Sequence, residues 1–219
     1  MRRHRIIAAA AMAAAAVATG VLATAHLHAG AAGNNPFESF VYDNREHTTA
    51  AIPAIGGGST TVTVDANAAK LFGIYGFQVA PVAPATAGSN GGTLTFPVTG
   101  GEAFIFPKHD LPFIRGDVVH SGGLSFSAGA TTVTATDFII NPGTSILTAK
   151  VGDKDIPLFE LDGSGVKVGH DSAGNPTLDG TVVKISQEAA DALNAAFGIS
   201  LFREGLTVGT AHIVLMPAK

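Results

Sequence analysis

The chain has 219 residues, of which 46% are hydrophobic and 14% charged, a content that excludes a disordered polymer and supplies a core for one mid-sized domain or two small ones. Cysteine is absent, which excludes a disulfide framework, thiolate metal sites, a cysteine nucleophile and a lipid-modified cysteine. The 13 basic residues against 17 acidic ones, a net of −4, argue against nucleic acid as a partner.

The first segment reads as an address. Arg2, Arg3 and Arg5 precede an uncharged, Ala-rich run from Ile6 to Ala25, and small residues follow at Ala23-Thr24-Ala25 and Ala29-Gly30-Ala31-Ala32. A basic start, an apolar stretch and an Ala-x-Ala site make a secretory signal peptide, with cleavage after Ala25, Ala31 or Ala32. The alternative is an uncleaved anchor, since about 20 apolar residues can span a bilayer. Alanine supplies little insertion energy, which favours cleavage. Removal of residues 1–32 leaves 10 basic against 17 acidic residues, a net of −7. No second apolar span and no C-terminal sorting motif follows, so the expected product is an extracytoplasmic domain without a membrane span.

Gly33 to Gly58 contains Pro36, Pro53 and the run Gly56-Gly57-Gly58, and is expected to be a flexible arm. Within it, Phe37-Glu38-Ser39-Phe40-Val41-Tyr42 is a short apolar element able to dock on the domain. Alternation then begins at Thr61-Val62-Thr63-Val64 and recurs at Thr93 to Val98, where Pro97 suggests an edge or a bulge. Further strand patterns are Ala103 to Phe106, Gly116 to His120, Gly123 to Phe126, Thr131 to Thr136, Ser145 to Val151, Ile156 to Leu161, Val166 to Val168, Gly180 to Ile185 and Leu206 to Leu215. The short gaps between them leave no room for parallel crossovers, which take a dozen or more residues. The expected fold is mainly β, an antiparallel β-sandwich or open barrel.

Two helices interrupt the strands. Val62 to Ala69 and Val183 to Ala190 share a plan in which a strand ends in an N-cap, Asp65 or Ser186, and an Ala pair opens a helix. The first is expected to stop at Gly73. The second runs to about Phe197 with Ala189, Leu193 and Phe197 on one face, and Gly198 is placed to end it. Duplication and convergence on the same capping chemistry both account for the likeness. Either way the helices read as plugs closing the ends of a β-domain, and they carry no catalytic residue types.

No coherent catalytic set emerges. Asp162-Gly163-Ser164-Gly165 lacks the helix that follows a nucleophile elbow and reads as a turn. The Gly-rich stretches at 56–58 and 88–92 precede strands rather than helices, so they are not phosphate loops. His47, His109, His120, His170 and His212 include no pair at i, i+2 or i, i+4, so no metal site is assigned. Asp171-Ser172-Ala173-Gly174-Asn175 has oxygen ligands without calcium-loop spacing and reads as hairpin chemistry. One cluster remains, Gly116-Asp117-Val118-Val119-His120-Ser121-Gly122-Gly123-Leu124. It puts a titratable side chain and a hydroxyl at a strand end, before two glycines that let backbone approach a ligand closely. The competing reading is a tight corner in which His120 bonds a carbonyl and Ser121 caps the turn. His109-Asp110 follows a nearby loop.

Three blocks carry a resemblance: Thr93 to Gly101, Arg115 to Leu124, and Ala189 to Gly198. In that order they resemble a set of secreted actinobacterial β-rich proteins without an assigned activity. His120-Ser121-Gly122-Gly123-Leu124, with Asn141-Pro142 after it, also resembles part of the Htaa domain, a β-rich module of haem-acquisition surface proteins. That resemblance implies haem iron held by an early Tyr with a later His in support, by position Tyr42 and His120. The chain departs from the pattern in having no Trp, Val119 before the His, and Val41 before the Tyr.

The expected organisation is therefore a signal peptide at 1–32, an arm at 33–58 and one β-rich domain at 59–219 with two short helices. The leading function is an exported, non-catalytic binding or cell-surface domain with an unknown cell-surface or small-molecule ligand. Its ligand-binding candidates are His120, Ser121, Gly122, Gly123 and Tyr42, without cofactor or metal. The alternative is an Htaa-like haem-binding module in which Tyr42 ligates the iron, and the third is a secreted hydrolase. An apolar pocket beside His120 facing Tyr42 would favour haem. A filled core with His120 bonded to backbone would favour the module. A Ser or carboxylate pair touching a His in a cleft would favour the enzyme.

Overall fold

The computed structural model describes residues 50–106 and 113–219. In chain order the elements are β1 (Ala50–Ile52), β2 (Ile55–Val64), α1 (Ala66–Ile74), β3 (Gln78–Val82), β4 (Thr86–Ala87), β5 (Thr93–Phe106), β6 (Phe113–His120), β7 (Gly123–Ala128), β8 (Thr131–Asn141), β9 (Ile146–Val151), β10 (Lys154–Asp162), β11 (Lys167–His170), β12 (Pro176–Ile185), α2 (Gln187–Phe197) and β13 (Thr207–Pro217). All pairings between strands are antiparallel.

Eight strands close on themselves in the order β5-β2-β13-β12-β10-β9-β8-β6, with β6 returning to β5. The mainly β expectation holds, and of its two architectures the barrel is the one realised, closed rather than open. The seam is the short β6–β8 pairing, Val118 to Ile140 and Val119 to Ile139. Closure removes the unpaired edges that an open sheet would expose. Strand alternation sets the interior. On β13, Gly209, Ala211, Ile213 and Leu215 point inward while Thr210, His212 and Met216 face out. On β5, Leu94, Phe96 and Val98 point inward, and after a register shift between Val98 and Gly100 so do Ala103 and Ile105. The two predicted strands at 93–98 and 103–106 are thus one strand with a bulge, and Pro97 sits beside it.

The expected arm at 33–58 ends earlier than its composition suggests. Ile52 and Ile55 are buried, and β2 runs through the three glycines to pair with β13. Those glycines serve close packing rather than mobility. A Cβ on Gly58, whose φ is +125°, would sit 2.0 Å from the Val214 carbonyl oxygen. Residues 33–49, including Phe37 to Tyr42, lie outside the described residues.

β8 leaves the barrel at its N-terminal half, where it pairs with β7, and β7 in turn with β3. The departure point is a bulge between Thr136 and Ile139, with Asp137 at φ +54°. The bulge turns Phe138 inward, to 2% exposure.

Both helices follow their predicted caps. The Asp65 carboxylate accepts the Asn67 and Ala68 amides at 2.9 and 3.0 Å. The Ser186 hydroxyl accepts the Ala189 amide at 3.0 Å and donates to the Pro157 carbonyl at 2.7 Å. α1 continues one residue past Gly73 to Ile74, and Gly198 ends α2 in the left-handed region. The two helices, with the residues that follow them, pack at one end rather than closing separate ends. Phe72 of α1 packs 6.0 Å from Phe202 after α2, and Phe77 contacts Phe197 and Phe202 edge-on at 4.9 and 5.3 Å. Leu193 is buried, and Phe197 is half-buried against Phe77.

Candidate functional site: a cavity inside the barrel

His120 is the last residue of β6. The two-residue period puts it on the same face as Val118, which is the inner face. It is 4% exposed. Its Nδ1 lies 3.3 Å from the Phe138 carbonyl oxygen, the group the β8 bulge delivers, and its Nε2 lies 2.7 Å from the Thr60 hydroxyl of β2. A carbonyl can only accept, so Nδ1 carries the proton and Nε2 presents a bare lone pair that Thr60 fills by donating. Burial pushes the imidazole pKa down to about 4, against the smaller opposing pull of the Phe138 and Val118 backbone. At neutral pH the ring is uncharged.

Beside this pair lies a cavity of about 240 Å3. Phe72 and Phe77 stand at its helix end, Phe96, Phe138 and Phe159 at mid-height, and Ile213 toward the far end of the barrel. Among the described residues His120 is the only titratable side chain on its wall, and the other polar side chains there are Thr60 and Thr181. Two lining residues, Ala69 on α1 and Gly91 in the turn before β5, are exposed, so the cavity reaches the surface between the helix and that turn. A second, more polar space of about 430 Å3 opens at the other end, by Phe113, Pro142, Asp162 and Ser164. Ile140, Leu161, Thr181 and Ile213 line both spaces and form the partition between them.

The predicted cluster divides here. Of the polar residues and glycines proposed to bind a ligand there, His120 is the one that enters the interior. Ser121 donates its amide to the Pro97 carbonyl at 3.0 Å and belongs to the β6–β7 corner. The glycines admit protein backbone rather than a ligand. A Cβ on Gly122 would meet the Val82 oxygen and the Ala85 nitrogen at 2.7 Å each, and one on Gly123 the Ala135 oxygen at 2.0 Å. Tyr42, His47, His109 and Asp110 lie outside the described residues. Thr60 and Phe138 escaped the sequence reading, although the alternation that turns Thr61 and Thr63 outward already put Thr60 on the inner face.

The remaining motifs have structural roles. The Asp162 carboxylate binds Lys184 at 2.8 Å and the Ser164 amide at 3.0 Å, which hold it well below the usual carboxylate range and make 162–165 a turn. Asp171 accepts the side chain of Asn175 and the amides of Ala173 and Asn175 at 2.8–2.9 Å, closing the β11–β12 hairpin and lowering its own pKa. His212 pairs with Asp179 on the outer face of β13 and β12, where both are exposed. Among the described residues no three His, Asp or Glu side chains gather in a metal-binding group. Among the same residues no helix is long and apolar enough to cross a membrane.

The chain matches no family model and no curated protein, so neither comparison supports the block resemblance to secreted actinobacterial proteins. Among solved structures it is similar to the C-terminal domain of HtaA from Corynebacterium glutamicum, at 13% identity and a TM-score of 0.45, over 74% of this chain and 98% of that domain. The likeness is a distant one of structure.

Proposed function

We propose that this chain is an exported, non-catalytic binding domain that holds one small apolar ligand inside its barrel. The observation that carries the reading is the cavity beside His120, hydrocarbon on nearly every wall and open to the surface at one point. An eight-stranded barrel is about wide enough either to fill with side chains or to take one small ligand, and small-molecule sites are characteristically concave, apolar and sparsely polar. The non-catalytic part rests on His120. Its ring sits between the Thr60 hydroxyl and the Phe138 carbonyl, and among the described residues lining the cavity no carboxylate stands behind it to complete a hydrolase triad. Export rests on the basic and Ala-rich pattern of residues 1–32.

The test is titration with naphthalene, followed by methyl NMR. Saturation at one equivalent should shift the methyls of Val62, Leu94 and Val183, which line the cavity. Ala211→Leu, which fills the same space, should abolish the shifts. Shifts confined to surface methyls, or unaffected by Ala211→Leu, would refute the site.

Haem is the second reading; a cavity of about 240 Å3 is too small to enclose the macrocycle, so haem would have to sit at the opening, with the His120 wall behind it. A supporting bond from His120 to a Tyr42 phenolate would require the Phe138 carbonyl to give up the ring proton it holds, since Nε2 has none to donate. Ferric haem should then give a one-to-one Soret shift that Tyr42→Ala abolishes. Equal uptake by the wild type and Tyr42→Ala would remove haem and leave the small-ligand reading.

A further inference from the structure

We infer that the barrel cavity selects uncharged apolar molecules carrying one hydroxyl group, such as a bicyclic or terpenoid alcohol, and rejects the corresponding carboxylates. The inference rests on the binding reading above and assigns the ligand's chemical class.

The polar end of the cavity is the Thr60–His120–Phe138 chain, and its hydrogen-bond direction is fixed. The Phe138 carbonyl fixes the proton on Nδ1, so Nε2 accepts, and Thr60 spends its only proton on Nε2. What the chain offers a ligand is a lone pair of the Thr60 oxygen. It has no free donor. Two rearrangements could create one, and each leaves a buried acceptor unpaired. Turning the Thr60 hydroxyl toward a ligand strips Nε2 of its partner, and moving the proton to Nε2 strips the Phe138 carbonyl. Both sites are buried, at 4% exposure for Thr60 and His120 and 2% for Phe138, so neither orphan recovers a bond from bulk water.

A hydroxyl donor meets this end directly. A carboxylate is acceptor-only and would enter a hydrocarbon wall with the Thr181 hydroxyl as the one remaining donor, far short of the hydration it gives up. Among the lining residues no cation stands ready to neutralise it. Size follows from volume. An engineered apolar cavity of about 150 Å3 holds benzene, so about 240 Å3 suits roughly ten heavy atoms.

Three probes of one shape test the class: naphthalene, 2-naphthol and 2-naphthoate, titrated at pH 7 by calorimetry with methyl NMR to place each one. The alcohol should bind about tenfold more tightly than the hydrocarbon, the yield of one net hydrogen bond. The carboxylate should bind about a hundredfold more weakly than the alcohol, or not measurably. Thr60→Val supplies the second arm. It bares Nε2, to which the ligand hydroxyl can then donate in place of Thr60, so the preference for 2-naphthol over naphthalene should persist or grow. Thr60→Ser, which keeps the hydroxyl, should keep the order of the three probes. Equal affinity for all three probes, or loss of the alcohol preference in Thr60→Val, overturns the assignment of class while leaving a cavity that binds. Tighter binding of 2-naphthoate overturns it as well. Failure of all three to enter the cavity overturns the binding reading beneath it.

Discussion

Acid should weaken this fold through one imidazole, starting at a pH well above the ordinary carboxylate range. Folded His120 has a pKa of about 4, while in the unfolded chain the ring returns to its usual 6.5. The stabilisation is therefore complete above pH 6.5. As pH falls from 6.5 to 4 the unfolded chain takes up a proton that the folded chain refuses, and stability declines throughout that window. Below pH 4 both states are protonated and this contribution has gone. A gap of about 2.5 pH units is worth about 3 kcal/mol, with a steepest slope of about 1.4 kcal/mol per pH unit near pH 5. The lowered carboxyls of Asp162 and Asp171 lose their stabilisation only below the ordinary Asp range, outside the window. The assay is urea unfolding at pH 7, 5.5 and 4 for the wild type and for His120→Gln, which keeps a donor and an acceptor without a titration in this range. The wild type should lose about 3 kcal/mol more than the variant between pH 7 and 4. Parallel pH profiles would refute the claim that His120 is buried and neutral inside the barrel.

Two further substitutions test the helical end. Leu193→Asp places a carboxylate at a site 4% exposed, among apolar neighbours, and should cost about 3 kcal/mol or more. The corresponding fall in Tm is about 10 °C, and an unchanged melting curve would mean that α2 is not packed on the barrel. Ser186→Ala removes a cap and the partner of the Pro157 carbonyl together, at a site 1% exposed, and should cost about 2 kcal/mol by denaturant unfolding. Ser186→Thr, which keeps the hydroxyl, should recover most of that loss.

The sequence disclosed strands more readily than closure. Period-two alternation at Thr131 to Thr136 or Leu206 to Leu215 is a local property, and it marks an inner and an outer face wherever a sheet covers a core. Whether the sheet closes depends on the β6–β8 seam, only two residue pairs long and joining segments some 20 residues apart, and no local pattern records it. β1, β3 and β4 were missed for a related reason. They have two to five residues each, and β3 carries Pro81, so alternation had no length over which to show. The glycines at 56–58 misled in the opposite direction. Composition treats a glycine run as a break, but here it lets two strands approach closely, which requires knowing the partner.

The candidate site was half legible for a deeper reason. His120 stood out as a titratable residue at a strand end, before two glycines, and the structure puts it on the inner face of β6. Ser121, Gly122 and Gly123 were grouped with it because they are adjacent in the chain. On a strand, however, adjacency separates side chains onto opposite faces, and after β6 the chain turns a corner into β7, outside the ring of eight strands. The residues that complete the site come from Thr60 and Phe138, 60 and 18 positions away. Thr60 gives no signal of its own, since one more Thr in a Thr-rich strand reads as an ordinary strand former. Phe138 contributes its backbone carbonyl to His120 as well as its ring to the cavity wall, through a bulge at Asp137 that no side-chain pattern announces. A polar pair inside a barrel is built from register, and register is the property that a single strand's sequence specifies least.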